Sequence, residues 1–406
     1  MSNSIDETLD YYPFPLGPLG EPPERFSELR AQCPVTKVRL PSGDTAWAVT
    51  GYDEVVAAMS DSRLSRAALR EPGAPRVING PDFADNPFNL LSQDGPDHRR
   101  LRRLISPAFT PKRAERIRPR IQEIADELVD ALEAGPRPAD LHHDFAALLP
   151  IWVITDLLGA SRERRADIQR WTDHLVSITA HTADERLTAR EESAAYVVSL
   201  LAQRREALGE DLLSDLITAR DDGDRLSEQE LVWLTINLLV AGHDTTVSAL
   251  SRAAFMVLRH PDQWRLLVDQ VDDRQVVRHA VEELLRYAPP SEIGFIRVAT
   301  EELEIGDVVV RQGEGVIPIM HAAGRDTRHV TDPDRLDLTR EDVEHVAFGH
   351  GSHFCPGAGL ARLELEIGLA TLARRLPNLR LAIAPENIDW SSGLLTLRPN
   401  TFPVEW

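Results

Sequence analysis

This sequence predicts a mainly α-helical fold with a small β portion, in a single domain spanning residues 1–406, and three observations carry that reading. From about Tyr52 onward, apolar residues recur with helical spacing over most of the chain. Runs with strand character are confined to the first fifty residues and the last third. No repeat, low-complexity tract or linker divides the chain, although 406 residues allow two or three domains at about 100 to 200 residues each.

The elements follow in order. The Pro-rich start "YYPFPLGPLGEPPERF" reads as an extended arm, and residues 1–50 close with a hairpin in which "VTKVRL" and "TAWAVT" flank "PSGD". A Pro-, Asn- and Gly-rich loop from Arg70 to Leu91 is long enough to be functional or mobile. Helices are expected at Asp94–Ile105, Pro111–Glu133, Asp144–Leu158, Arg162–Ala180 and Asp184–Leu208. The longest helix starts at Ser227, where "SEQE" fits a capping box, and runs to His260 before Pro261. At 1.5 Å per residue it is roughly 50 Å long, enough to cross the domain. After a helix ending near Tyr287, strand-like pieces appear at "FIRVAT", "LEIG", "DVVVR", "LRLAI" and "LLTLRP".

Composition narrows the function. Hydrophobic residues at 42% and charged residues at 27% give a globular balance and exclude a disordered chain. A net charge of -20 argues against nucleic acid or an anionic membrane as partner, since both need Lys and Arg to neutralise phosphate. With no signal-like start and no apolar run of about 20 residues, a cytoplasmic protein is expected. Two cysteines, Cys33 and Cys355, make no disulfide framework and fit a reducing compartment.

Cys355 lies in "AFGHGSHFCPGAGLAR", among four glycines and two histidines. The helix behind it is apolar on two faces, Leu360, Leu363, Ile367 and Ala370 against Leu365, Leu369, Leu372 and Leu376, so it is buried between layers. Backbone N–H groups at its N-terminus can stabilise a thiolate, and the glycines admit a large flat ligand. Three readings are open: a small buried hydrophobe, a transition-metal site with His350 and His353, and an axial thiolate on haem iron. In the long helix, "AGHDTT" is either a close-packing patch or a site in which Ala241 and Gly242 make room while Asp244 and Thr245 offer an acid and an alcohol for proton relay. His243 between them reads as packing or surface.

The spacing Phe348-x-x-Gly351-x-x-x-Cys355-x-Gly357 resembles the haem loop of the cytochromes P-450, and the chain is similar over its whole length to soluble bacterial, actinomycete-type members. The resemblance implies the P-450 fold, with haem b buried between the long central helix and the cysteine-loop helix and residues 340–362 as the haem-thiolate loop. It implies Cys355 as iron ligand, with Phe348, Gly349, Gly357, Ala241 and Gly242 around the cofactor. His98, Arg102, Arg297 and His353 are the expected propionate partners. Thr245 is the expected holder of dioxygen or a water, and Asp244 the gate for protons. Glu283 and Arg286 in "EELLR", joined by Arg335 in "DPDRLD", are the expected structural brace. Two departures, Gly324 in "HAAGRD" and Pro356 after the cysteine, remove no ligand.

Haem geometry points to pocket walls at Val77 to Leu90, Asn237, Leu238, Ala241, Ile293, Phe295, Leu394 and Leu395. This mostly aliphatic lining suits a sizeable apolar or amphipathic small molecule, free or carrier-bound, such as a polyketide, macrolide or peptide. The window from His98 to Arg120 holds nine Lys/Arg and one acid, a balance of +8, and suits an acidic ferredoxin. With no flavin or nicotinamide fingerprint, electrons are expected from a separate ferredoxin and ferredoxin reductase. The expected activity is hydroxylation or epoxidation with O2 by a monomer. The rivals are a P-450-like haem-binding or carrier-recruiting module without oxygenase activity, and a Cys/His metal hydrolase.

Overall fold

A computed structural model of the chain describes residues 9–80, 85–209, 211–221, 226–291 and 293–406. The central helix spans Glu228–Leu258. Its capping box is formed as expected: the Glu230 N–H donates to Ser227 Oγ at 3.2 Å, and the Ser227 N–H donates to Glu230 Oε2 at 2.8 Å. The helix ends ahead of Pro261, which opens the next one, Pro261–Asp269. Helices Leu148–Leu158, Arg165–Leu175, Ala183–Glu206 and Ala358–Arg375 pack around it.

The cysteine-loop helix, Ala358–Arg375, buries Leu360, Leu363 and Ile367 on one face and Leu365, Leu369 and Leu372 on the other. Gly368 lets it approach the central helix closely, because a Cβ there would lie 3.1 Å from Leu250 Cδ1. Apolar residues at helical spacing therefore gather in one large helical core, with two smaller clusters on the sheet side.

The expected hairpin pairs Val35–Arg39 antiparallel with Thr45–Val49. It forms one edge of a five-stranded sheet, which continues through Gly315–Pro318 and Arg297–Ala299 to Leu64–Ser65. Thr45–Val49 and Gly315–Pro318 run parallel, which delivers Arg297 to the sheet from a distant part of the sequence. Gly315–Pro318, Leu64–Ser65, Ala139–Asp140 and Pro403–Glu405 are too short to alternate visibly in sequence.

Other departures have local causes. The helix expected at Arg162–Ala180 is a 3₁₀ turn, Arg162–Arg164, followed by Arg165–Leu175. It stops there because the N–H groups of Ile178, Thr179 and Ala180 all donate to the Gly393 carbonyl, at 2.8, 2.9 and 3.1 Å. The run "LLTLRP" forms no strand and is held by isolated bridges, Ser177 to Leu394 and Ser291 to Thr396. Ahead of Leu148–Leu158, His142–Ala146 forms a π-helical turn. No helix among the described residues is long and apolar enough to cross a membrane.

The expected brace is built on Glu283 and Arg286, whose side chains are fully buried. Arg286 Nε and Nη2 donate to the Glu283 carboxylate at 2.7 and 2.8 Å, and Nη1 donates to the carbonyls of Gly324 and Pro333 at 2.7 and 3.0 Å. A Cβ on Gly324 would stand 2.7 Å from the Arg286 carbonyl, which explains a glycine there. The third member is Arg340 and not Arg335. Arg340 Nε lies 3.3 Å from Glu283 Oε2, while the Arg335 side chain is 68% exposed beside Asp337. The chain turns at this point, and Arg340 binds the carbonyls of Thr331, Asp332 and Arg335, so the Arg335 side chain is directed outward.

Arg340→Leu is expected to lower the unfolding free energy by at least about 1 kcal/mol, because it removes an ion pair from a buried carboxylate and hydrogen bonds from the carbonyls of Thr331, Asp332 and Arg335. Arg335→Leu should stay within about 0.5 kcal/mol. Urea unfolding of the two variants checks the assignment.

Candidate active site around Cys355

The cysteine loop is a tight reversal closed by the Cys355 N–H donating to the Phe348 carbonyl at 2.9 Å. Gly349 and Gly351 adopt φ of 73° and 70°, and a Cβ on Gly351 would meet the Met59 carbonyl oxygen at 2.9 Å. Burial pushes the Cys355 thiol up, against the N–H groups of Gly357 and Ala358 and the charges of Arg102 and Arg362, which favour thiolate. A metal bound to this sulfur would displace its proton. His350 and His353 do not join it: among the described residues no group of three or more His, Cys, Asp or Glu is placed to hold a metal ion. His350 is exposed, and His353 turns to Asp94.

A second brace, missed in the sequence, holds both ends of this loop. Glu282, directly before Glu283, accepts from Arg362 Nε and Nη2 at 2.6 and 2.9 Å and lies 3.0 Å from His345 Nε2. His345 Nδ1 in turn accepts from the Ala347 N–H. The Arg362 guanidinium lies 4.4 Å over the Phe348 ring. Burial works against the Glu282 carboxylate, yet His345 and Arg362 hold it down to about 2. The only sequence signal was an acid adjacent to the one already chosen.

On the central helix, every residue from Leu231 to Leu258 is buried except Trp233, Ala241, Gly242 and Thr245, and Ala241 alone is exposed. This leaves an accessible slot midway along an otherwise packed helix. Thr245 Oγ1 donates to the Ala241 carbonyl at 2.6 Å, which leaves its oxygen free to accept. At Gly242 a Cβ would stand 2.8 Å from Ile154 Cδ1, so the glycine also lets the two helices pack closely. His243 is not at the surface but 2% exposed.

Asp244 is 1% exposed and accepts from Thr396 Oγ1 at 2.8 Å and from Arg398, which also pairs with Asp173. Burial raises the Asp244 carboxyl above the usual carboxylate range, although Arg398 and Thr396 pull it down. Arg398 and Thr396 lie more than 150 positions away in sequence, and no local pattern announces them.

His98, Arg102, Arg297 and His353 come together as expected. The rings of His98 and His353 lie 4.3 Å apart. Burial, then the charges of His353 and Arg102, brings His98 down to about 4. His353 is lowered by burial and by Arg297 and Arg66, while Asp94, 3.1 Å from its Nε2, opposes. Asp94 also accepts from Ser65 Oγ and the Ala67 N–H, and these contacts hold it well below the usual range despite burial. Arg66 and Asp94 were not foreseen. The pocket candidates fall in two groups: Ile293 packs with Val77, Ile178 and Leu395 on the sheet side, whereas Leu238 belongs to the helical core. Asn237 shares the Ala241 face of the central helix, Phe295 lies under Arg66, and Leu394 is buried. Within the expected wall from Val77 to Leu90, residues 81–84 lie outside the described residues.

These residues fit the haem that the cysteine loop implies. One sulfur donor faces backbone N–H groups, the Ala241 slot has no bulky side chain, and Arg102, Arg297 and two histidines suit carboxylates at one edge. Residues 151–401 match the family model described as Cytochrome P450. The chain is 45% identical to nocardicin C N-oxygenase of Nocardia uniformis subsp. tsuyamanensis, over 94% of each. It is 41% identical to mycinamicin IV hydroxylase/epoxidase of Micromonospora griseorubida, covering 94% of this chain and 95% of that one. The crystal structure of the LnmA cytochrome P450 hydroxylase from the leinamycin pathway of Streptomyces atroolivaceus S-140 superposes with a TM-score of 0.88 at 41% identity, covering 98% of this chain and all of that one.

The buried histidines set a pH dependence. His98 falls to about 4, and His142 and His243 to about 3, each chiefly by burial. Below the unfolded histidine pKa of ~6.5, the unfolded chain binds protons that the folded chain refuses, so their contribution is complete above that value and is lost toward pH 3–4. Thermal unfolding midpoints of the metal-free protein should fall steadily from pH 7 to pH 4. A His98→Gln, His142→Gln, His243→Gln triple variant should show a shallower fall.

Proposed function

The chain belongs to the cytochrome P450 family and is a haem-thiolate monooxygenase, and from that premise we propose that its cofactor is haem b held through Cys355, with Asp244 and Thr245 moving protons. The observation that carries this is the Cys355 sulfur, faced by the N–H groups of Gly357 and Ala358 and by two arginine charges. When bound, the haem would supply O2 activation: one oxygen atom enters a C–H or C=C bond of the substrate, and the other leaves as water after taking two electrons from a separate donor and two protons.

The protein's own groups divide the work. Cys355 gives up its proton to bind, and the Gly357 and Ala358 N–H groups then share the sulfur's negative charge. His98, Arg102, Arg297 and His353 hold the two carboxylates. Thr245, tied to Ala241, presents an acceptor oxygen in the accessible slot of the central helix. Asp244 keeps a carboxyl of raised pKa one residue away, and rotation out of its Arg398 contact would carry a proton toward Thr245 Oγ1. The surrounding burial keeps bulk water away from that transfer.

The substrate we propose is a sizeable apolar or amphipathic natural product, oxidised by hydroxylation or epoxidation. The apolar group of Ile293, Leu395, Val77 and Ile178 supports this, as do relatives named for nocardicin C, mycinamicin IV and the leinamycin pathway. Electrons would come from ferredoxin and its reductase. Of the nine basic residues from His98 to Arg120, Arg99, Arg103, Lys112 and Arg116 are exposed and make no ion pair among the described residues. Arg99 and Arg103 stand beside Arg102 on the helix Gly95–Ile105, on the thiolate side, and would steer an acidic partner. A monomeric, single-domain cytoplasmic enzyme completes the reading.

Thr245→Ala is expected to leave substrate affinity within about twofold while shifting reducing equivalents to hydrogen peroxide, lowering coupled product severalfold. Product per NADPH consumed, measured with ferredoxin and reductase in excess, checks this. Unchanged coupling contradicts the relay.

A further inference from the structure

Several buried polar side chains on and around the central helix have partners. Thr235 Oγ1 donates to the Leu231 carbonyl at 2.8 Å, and Thr155 Oγ1 to Ile151 at 2.7 Å. Ser248 Oγ donates to the Pro290 carbonyl at 3.0 Å. Glu230 holds Arg100, and Arg190 lies 5.0 Å over the Trp233 ring. Among the described residues, His243, directed about 160° away from Ala241, and Asn237 are the exceptions on the helix, and Asn237 is the one near the slot. It is 9% exposed, and neither its amide oxygen nor its amide nitrogen has a partner among the described residues.

An asparagine here is costly twice over. It is a weaker helix former than leucine, and a buried amide lacking hydrogen bonds loses its hydration without return. An apolar residue would avoid both costs. Position explains the choice. Asn237 lies one turn before Ala241 and two before Thr245, within about 40° of the Ala241 direction on a helix advancing 100° per residue. It therefore lies beside the accessible slot, between the directions of Ala241 and Asp244 on the helix. The pocket walls foreseen nearby, Leu238 and Ile293, offer it no hydrogen bond.

We infer that Asn237 is the polar anchor of the substrate pocket and that its partner is a secondary amide of the substrate, a lactam or peptide group. This rests on the monooxygenase reading above. A primary amide side chain presents one acceptor and one donor side by side, in one plane. A secondary amide in the cis arrangement offers the mirror pair: its N–H donates to Asn237 Oδ1, and its carbonyl accepts from Asn237 Nδ2. An ester of the same shape supplies only the acceptor and sets an oxygen against Oδ1. Lactams are then preferred over matched lactones, with the remainder of the molecule held by aliphatic walls.

The test uses haem-loaded protein and two probes, the cyclic dipeptide of two phenylalanines and the dilactone in which each N–H is replaced by oxygen. Affinity is read from the low-spin to high-spin spectral shift. Wild type should bind the dilactam about tenfold more tightly than the dilactone, as one lost hydrogen bond predicts. The near-isosteric Asn237→Leu should reduce that ratio below about twofold, with haem content and the reduced CO spectrum unchanged. Equal affinities in wild type, no shift with either probe, or a ratio that survives in Asn237→Leu overturns the inference. A protein without a thiolate-type CO band would instead overturn the monooxygenase reading, so the two failures are distinct.

Discussion

The structure depends on placing one thiol where its anion is tolerated. Burial alone would keep Cys355 protonated, and four groups are arranged against that: the N–H groups of Gly357 and Ala358 and the charges of Arg102 and Arg362. The two N–H groups come from the loop and the start of its helix, and the two charges need support from elsewhere. Arg362 is fixed by Glu282, which also holds His345 ahead of the loop, and Arg102 stands on a separate helix. Such ion pairs are weak sources of net stability, because desolvation offsets their attraction. Their value here lies in fixing directions, since hydrogen bonds to sulfur act only over short distances.

The polar groups of the site form two separate networks. Toward the cysteine, the cations Arg102, Arg297 and Arg66 gather with His98 and His353, and Asp94 binds His353. On the central helix, Asp244 joins Arg398, Asp173 and Thr396 in a buried network that shares no residue with the first. Cofactor retention and proton supply are thereby separated. The small residues between them serve two purposes: Ala241 leaves the slot open, and Gly242 lets Leu148–Leu158 pack closely.

What sequence made legible was local. The capping box at Ser227, the "PSGD" hairpin, the two-faced helix after Cys355 and the i to i+4 pair His98 and Arg102 each depend on residues within a few positions, and each is realised. What it hid was long-range. Arg340 replaces Arg335 because a turn five residues long decides which arginine points inward. The helix expected to reach Ala180 ends at Leu175 because Gly393, more than 200 positions away, captures three N–H groups. Arg398, Thr396 and Glu282 were silent for the same reason: their roles exist only after the chain has folded.

The account stands or falls on the bond from Cys355 to iron. The most direct measurement is the absorption spectrum of the haem-loaded, dithionite-reduced protein under carbon monoxide, for wild type and Cys355→Ala. A strongly red-shifted Soret band in wild type that is absent from Cys355→Ala is the predicted result. An imidazole-like band in wild type, or a red-shifted band that survives loss of Cys355, would contradict it.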